Sequence, residues 1–401
     1  MQLGEKVNLV ICQKSKINDW AEHFLRYYSQ YYVFNLTEGK DFNTFLESQN
    51  AGYVYGPSVG IINYELAFRR PALKQLRDFT LMLDESSMIQ NETAKRSKFI
   101  LGLTPRNVIL LSGTPTGGKY EKLWSQLHLL GYSGSKGLYW NQYIETKILD
   151  VDGYPVKVVT GYKNVDRLKR KLKEYGAHFL KTDEVFDLPK QTEIPVMVPP
   201  AKKYRQFMRN SLVTINKLDM VVSGMETGVE VELIGDTALT KMLYARQLCG
   251  QYCKDKLQAF EDLILNTSER LIVFYNFNEE LNLLHQTALK KTPNISVVNG
   301  NRKDLQAYSL YDDSITFIQY QAGAMGLNLQ KANKVIYFTP PLSSELFEQS
   351  KKRIHRIGQD RPCFYYYLTC KNSIEVKIYE TLKQRKDFTD TLFESLGSSD
   401  F

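Results

Sequence analysis

The sequence predicts an α/β protein of two lobes, each built on a parallel sheet, joined by a helical insertion and a linker. Three observations carry that prediction. Short β-branched runs alternate with helix-like stretches in the first third of the chain. The same alternation returns in the last third, and the segment between is charged, helical in period and marked by prolines. A length of 401 residues fits two or three domains at roughly 150 residues each.

In the first third the strand candidates are VNLVIC from Val7, VGIINY from Val59, FTLMLDE from Phe79 and NVILLSGTP from Asn107. Near-continuous apolar runs of this length suit strands buried on both faces. Asn18–Tyr28, containing Trp20, Phe24 and Leu25, reads as an intervening helix. The last third repeats the pattern with LIVFY from Leu271, ISVVNG from Ile295, SITFIQY from Ser314, KVIYF from Lys334 and CFYYYL from Cys363. Between them, Asp166–Tyr175 and Lys202–Leu218 have helical period and flank the proline-marked DLPKQTEIPVMVPP. The expected division is residues 1–135, 136–240 and 241–401. Tyr365, Tyr366 and Tyr367 read as strand packing rather than a base-stacking surface.

Composition narrows the function classes. Apolar residues at 43% and charged residues at 24% bury a core and exclude global disorder. Lys plus Arg number 52 against 44 for Asp plus Glu, and the formal charge of +8 favours a polyanionic partner. The cluster Arg167, Lys169, Arg170, Lys171 and Lys173 is equally consistent with phosphate tracking and with a solvated helix face. Five cysteines do not staple a chain this long, and Cys249 and Cys253 lack a second pair at metal-ligand spacing, so core thiols are expected. With no 18-residue apolar run and no signal-peptide pattern, the expectation is a cytoplasmic protein without membrane contact.

Chemistry concentrates in three strings. LMLDESS (Leu81–Ser87) is an apolar strand ending in two carboxylates, where α/β sheets place ligands. Phosphoryl transfer to water needs one acid to hold Mg²⁺ and another to orient the water, roles suited to Asp84 and Glu85. SGTP (Ser112–Pro115) closes the next strand 28 residues after Asp84. EQSKKRIHRIGQDRP (Glu348–Pro362), read as a helix, sets Gln349, Arg353 and Arg356 on one face, an arrangement fit for a γ-phosphate.

These strings resemble motifs II, III and VI of superfamily-two helicases, specifically the Swi/Snf-like DNA-dependent ATPases. VICQKSKINDW (Val10–Trp20), IINYEL (Ile61–Leu66), RLIVFYNF (Arg270–Phe277) and QAGAMGLNL (Gln321–Leu329) resemble motifs Ia, Ib, IV and V in the family's order. LKTDEVFDLP from Leu180 and YARQLCG from Tyr244 resemble the stretches between its lobes. The resemblance implies two RecA-like lobes holding double-stranded DNA, with ATP and Mg²⁺ as cofactors, in an ATP-dependent translocase of the small bacterial or phage type. It implies that Asp84 binds Mg²⁺, Glu85 activates water, Ser112 and Thr114 couple hydrolysis to movement, and Arg353 and Arg356 act as arginine fingers. Gly326 lets motif V approach the nucleotide or DNA, Gln349 orients the arginines, and Ser15, Lys16 and Asn63 line the DNA track.

One departure stands out. The sequence contains no G-x-x-x-x-G-K-[ST], and its only GGK, Gly117–Lys119, runs into Tyr120. In the family that phosphate loop precedes motif Ia, so the first lobe is expected to be incomplete at its N-terminus. Met1–Lys6 then reads as the end of the missing helix, capped by Gly4, and the missing strand leaves a hole inside the first sheet. Three explanations follow: a fragment of a longer gene, which the surviving Asp84, Glu85, Arg353 and Arg356 favour, a partner chain supplying the piece, or a non-catalytic DNA-binding module. Smaller departures are Ser86-Ser87 after the carboxylates, Gln319-Tyr320 in motif V and Lys352 in motif VI.

Overall fold

The apolar runs of the first third pair as predicted. In the computed structural model, β1 (Val7–Cys12), β2 (Tyr32–Asn35), β3 (Ser58–Asn63), β4 (Phe79–Asp84) and β5 (Asn107–Leu111) form one parallel sheet in the order β2-β3-β1-β4-β5. Residues 6–50, 56–151, 154–178, 187–216, 230–235, 237–323 and 326–393 are described. The chain divides into two units, Met1–Phe179 with Arg385–Phe401, and Leu180–Gln384.

Side chains alternate across the first sheet, so each strand feeds two cores. Leu9, Ile11, Leu81 and Leu83 enter one cluster, while Val10, Cys12, Ile61 and Met82 enter the other. That double burial is why these strands read as unbroken apolar runs. The expected hole is not there: every strand from β2 to β5 pairs with its neighbour, because the described strands satisfy one another's ladders. The strands with incomplete cover are the two edge strands, β2, half-buried over Val33–Asn35, and β5, half-buried over Val108–Leu111. The reading of Met1–Lys6 with Gly4 as a helix cap, and most of the Leu180 block, lie outside the described residues.

The insertion is less helical than its sequence suggested. Between the helices Lys136–Tyr143 and Val165–Glu174 runs an antiparallel ribbon of β6 (Ile144–Val151) and β7 (Tyr154–Tyr162). Tyr120, Tyr139, Tyr143, Leu168 and Leu172 form its core. The helix expected over Lys202–Leu218 ends at Asn210, and Ser211 turns in the left-handed region at φ 57°. The β-branched LVTIN then forms β9 (Leu212–Asn216), paired antiparallel with β10 (Glu230–Ile234); Leu218 lies outside the described residues.

The second unit is built on seven strands. β8 is Gln191–Val198, β11 Leu271–Tyr275, β12 Ile295–Val298, β13 Lys303–Asp304, β14 Ile315–Gln319, β15 Lys334–Tyr337 and β16 Cys363–Cys370. Their order is β13-β12-β14-β11-β15-β16-β8, parallel except for β13 against β12. β8, which the sequence placed in the linker, pairs with β16 along its full length. Tyr365 and Tyr367 are buried and stack on Tyr337, the packing role expected of them. Behind β16, Lys256 and Glu375 form a fully buried ion pair at 2.6 Å, and Glu375 also accepts from the Cys370 N–H at 2.9 Å. Cys249, Cys253 and Cys370 join one apolar cluster beside them. No helix among the described residues is long and apolar enough to cross a membrane.

Candidate functional site

The carboxylate cluster of the first unit follows from strand register. β4 and β5 pair with Asp84 opposite Leu111, so the residues that follow each strand, Glu85 and Ser112, emerge side by side. Ser112 Oγ donates to Glu85 Oε1 at 3.0 Å, and Ser87 Oγ donates to the same oxygen at 3.0 Å. The Thr114 N–H donates to Ser112 Oγ at 3.2 Å, which ties the SGTP loop to the carboxylate. Glu85 itself sits at φ 63°, ψ 58°, a left-handed conformation that costs a non-glycine residue on the order of 1–2 kcal/mol. The surroundings hold it there: Tyr64 Oη donates to the Asp84 carbonyl at 3.0 Å and the Glu85 carbonyl at 3.3 Å.

Asp84 closes β4 half-exposed. Trp20 Nε1 donates to its Oδ2 at 2.9 Å, and Oδ1 accepts no hydrogen bond among the described residues. One oxygen fixed and one open is a donor set that fits a hard cation such as Mg²⁺. The negative charge is felt nearby. Burial, then Asp84, pushes the Cys12 thiol up to about 12, and burial with Asp84 and Glu85 holds the Tyr64 phenol well above its ordinary range. Ser86, at the departure from the family pattern, donates to Gln126 Oε1 at 2.9 Å, and Gln126 Nε2 donates to the Pro115 carbonyl at 2.7 Å. Gln90 Nε2 reaches the same carbonyl at 3.0 Å. Trp20, Tyr64, Gln90 and Gln126 are site residues that sequence reasoning missed.

A separate cluster of expected site residues, in the other unit, corrects the helical reading of motif VI. The helix Ser344–Lys351 stops before Arg353, so Gln349, Arg353 and Arg356 do not share a helix face. A distant group takes the Arg353 carbonyl, and a side chain of the loop itself takes that of Ile354. The Leu329 N–H donates to the Arg353 carbonyl at 3.1 Å, and the buried Gln359 Nε2 donates to the Gln330, Ala332 and Ile354 carbonyls at 3.1, 2.8 and 3.2 Å. Gly358, at φ 91°, lets the chain turn there. The loop is therefore laced to motif V, where Gly326 turns at φ 70° and Asn328 Oδ1 accepts from Arg356 Nη1. Arg353 is half-buried in the same loop, and Gln349 Nε2 donates to Glu345 Oε1 at 3.4 Å.

The residues expected to line a DNA track are spread over two elements. Ser15 and Lys16 lie in a short 3₁₀ turn after β1, with Ser15 exposed and Lys16 ion-paired to Asp19 at 2.6 Å. Asn63 ends β3, is 7% exposed, and donates to Glu65 Oε2 at 3.0 Å.

Adjacent carboxylates at a strand end in one α/β unit and an arginine loop tied to a glycine turn in the other are the features expected of the helicase-like ATPase class. The sequence matches the SNF2-related domain over residues 2–253 and the helicase conserved C-terminal domain over residues 255–358. The chain belongs to the SNF2-related family, a family of ATP-dependent helicase-like ATPases with RecA-like lobes. It is 25% identical over 334 residues to DNA repair and recombination protein RAD26 of Saccharomyces cerevisiae, covering 74% of this chain and 30% of that protein. It is 23% identical over 407 residues to SWI/SNF-related matrix-associated actin-dependent regulator of chromatin subfamily A member 1 of Mus musculus, covering 93% and 37%. Against ISWI chromatin-remodeling complex ATPase ISW1 of Saccharomyces cerevisiae the identity is 23% over 405 residues, covering 94% and 35%. The chain thus spans about a third of the length of these relatives.

Proposed function

We propose that this chain is the motor core of an ATP-dependent translocase on double-stranded DNA. The observation that carries the reading is the Glu85 carboxylate, held by the Ser112 and Ser87 hydroxyls beside the open oxygen of Asp84. ATP with Mg²⁺ supplies the phosphoryl group and the free energy of its transfer. Asp84 holds the cation. Glu85 orients the attacking water and takes its proton, and its two hydroxyl donors fix the carboxylate for that task. Ser112 and Thr114 link the carboxylate to the SGTP loop, so a change at Glu85 moves the loop. Arg353 and Arg356 neutralise charge building on the transferred group, Gly326 admits close approach, and Gln349 supports the arginine loop. Ser15 and Lys16 suit backbone phosphates, and Asn63 joins them by exchanging Glu65 for DNA.

A second reading, a DNA-binding module without turnover, is favoured by one observation: the 401-residue sequence contains no G-x-x-x-x-G-K-[ST]. Phosphate release by the full-length protein, measured with and without duplex DNA, separates the two. DNA-stimulated release supports the motor, and duplex binding without release supports the module.

A further inference from the structure

The insertion of the first unit carries features that none of the helicase motifs uses. Residues 136–178 contain nine Lys or Arg against five Asp or Glu, half of the chain's net charge of +8. The β6–β7 ribbon within them has eight cross-strand pairs and is about 25 Å long at roughly 3.4 Å per residue. Its base is packed, with Val159 and Tyr162 against the tyrosine-rich core. Its outer part has no such support.

Cross-strand partners share a face and successive residues alternate between faces. Ile148, opposite Lys157, therefore lies on one face, while Leu149 and Val156, opposite each other, lie on the other face with Tyr154. Ile148 is 72% exposed, Tyr154 73%, Leu149 49% and Val156 42%. Exposed apolar side chains thus stand on both faces of one narrow ribbon. A protein docking on a patch covers one face, whereas the major groove of duplex DNA admits a two-stranded ribbon and encloses both. The ribbon itself carries Lys147 and Lys157 against Glu145, Asp150 and Asp152, so the charge complementary to a polyanion lies at its base and on the neighbouring helix. An open cavity of about 410 Å³ at the ribbon's base is lined by Trp140, Lys157 and Lys163 together with Glu145, and the buried Trp140 indole N–H has no hydrogen-bond partner among the described residues. On the neighbouring helix, Leu168 and Leu172 face the core, which leaves Arg167 and Arg170 exposed.

We infer that the β6–β7 ribbon enters a groove of duplex DNA while Lys157, Lys163, Arg167 and Arg170 hold the backbone on either side. This is a DNA contact separate from Ser15, Lys16 and Asn63. It rests on duplex DNA as the partner of the motor, and its test fails separately from that reading.

Two double variants of the full chain isolate the parts: Arg167→Ala with Arg170→Ala, and Leu149→Ser with Tyr154→Ser. All four side chains are exposed or remote from the carboxylate site. Binding to a labelled duplex is measured by fluorescence anisotropy without nucleotide over a range of salt. The arginine variant should weaken binding about tenfold at low salt and reduce the log–log salt slope by about 2, near 0.9 per lost phosphate contact. The ribbon variant should weaken binding several-fold with the slope unchanged. Wild-type affinity in both variants overturns the inference and leaves the motor standing, and failure of the wild type to bind duplex overturns both. A ribbon variant that loses only self-association in sedimentation, with duplex affinity intact, reassigns the ribbon to contact between copies and also overturns the inference.

Discussion

The Ser112 hydroxyl donates to Glu85 Oε1 at 3.0 Å across 27 residues of chain, a contact fixed by the β4–β5 register. Ser112→Ala removes one of two donors without disturbing the strands. Steady-state ATP turnover should fall about tenfold, the rate equivalent of roughly 1.4 kcal/mol, with duplex affinity unchanged. Ser87→Ala should behave alike. The double variant should lose more than either alone, because both hydroxyl donors to Oε1 are then gone.

Arg353 and Arg356 belong to a loop laced to motif V, not to a helix face. In the motor reading each acts on the reacting group, so Arg353→Ala and Arg356→Ala should each lower kcat by about a thousandfold or more and change duplex affinity less than threefold. Equal losses in kcat and in DNA affinity would mean that these side chains bind DNA instead.

Gln359 is 5% exposed, and one amide nitrogen serves three carbonyls from two segments. Gln359→Leu keeps the volume but leaves those carbonyls without their donor. Chemical denaturation should show a loss of about 2–3 kcal/mol, and the transition of the second unit should move to lower denaturant.

Glu280 is fully buried, and burial raises its pKa despite the Asn276 and Phe277 N–H groups and the Thr339 hydroxyl that donate to Oε2. Oε1 has no hydrogen-bond partner among the described residues and lies 2.1 Å from where a Cβ on Gly250 would stand. A carboxyl whose folded pKa exceeds its unfolded value stabilises most below the unfolded value, about 4.3, and loses that contribution as pH rises through the folded one. Relative to Glu280→Gln, wild type should therefore lose stability as pH rises above about 4.3. Denaturation midpoints of the two proteins across that range check the slope. A difference that does not change with pH would mean that Glu280 titrates alike in the folded and unfolded states, against the raised folded pKa.

Most of the sheet framework was legible because its strands are buried on both faces and carry uninterrupted apolar runs. β8 was not, since QTEIPVMV has Pro195 at its centre and reads as linker. The structure accommodates that proline by placing β8 at the sheet edge. The β6–β7 ribbon did leave a signal, Asp152-Gly153 between two β-branched runs, which the basic helix beside it overshadowed. At the site, the carboxylates and SGTP were legible as local strings. Their partners Trp20, Tyr64 and Gln126 were not, because long-range register alone brings them there. Motif VI misread for a related reason: helical spacing is local, but the Leu329 N–H that takes the Arg353 carbonyl arrives through the tertiary fold.

The central claim is tested most directly by phosphate release from ATP by the full-length protein, with and without duplex DNA, wild type against Glu85→Gln. The account predicts that duplex DNA raises release several-fold in the wild type and that Glu85→Gln abolishes it while keeping duplex binding. Release that ignores DNA, or a Glu85→Gln variant as active as wild type, would contradict it.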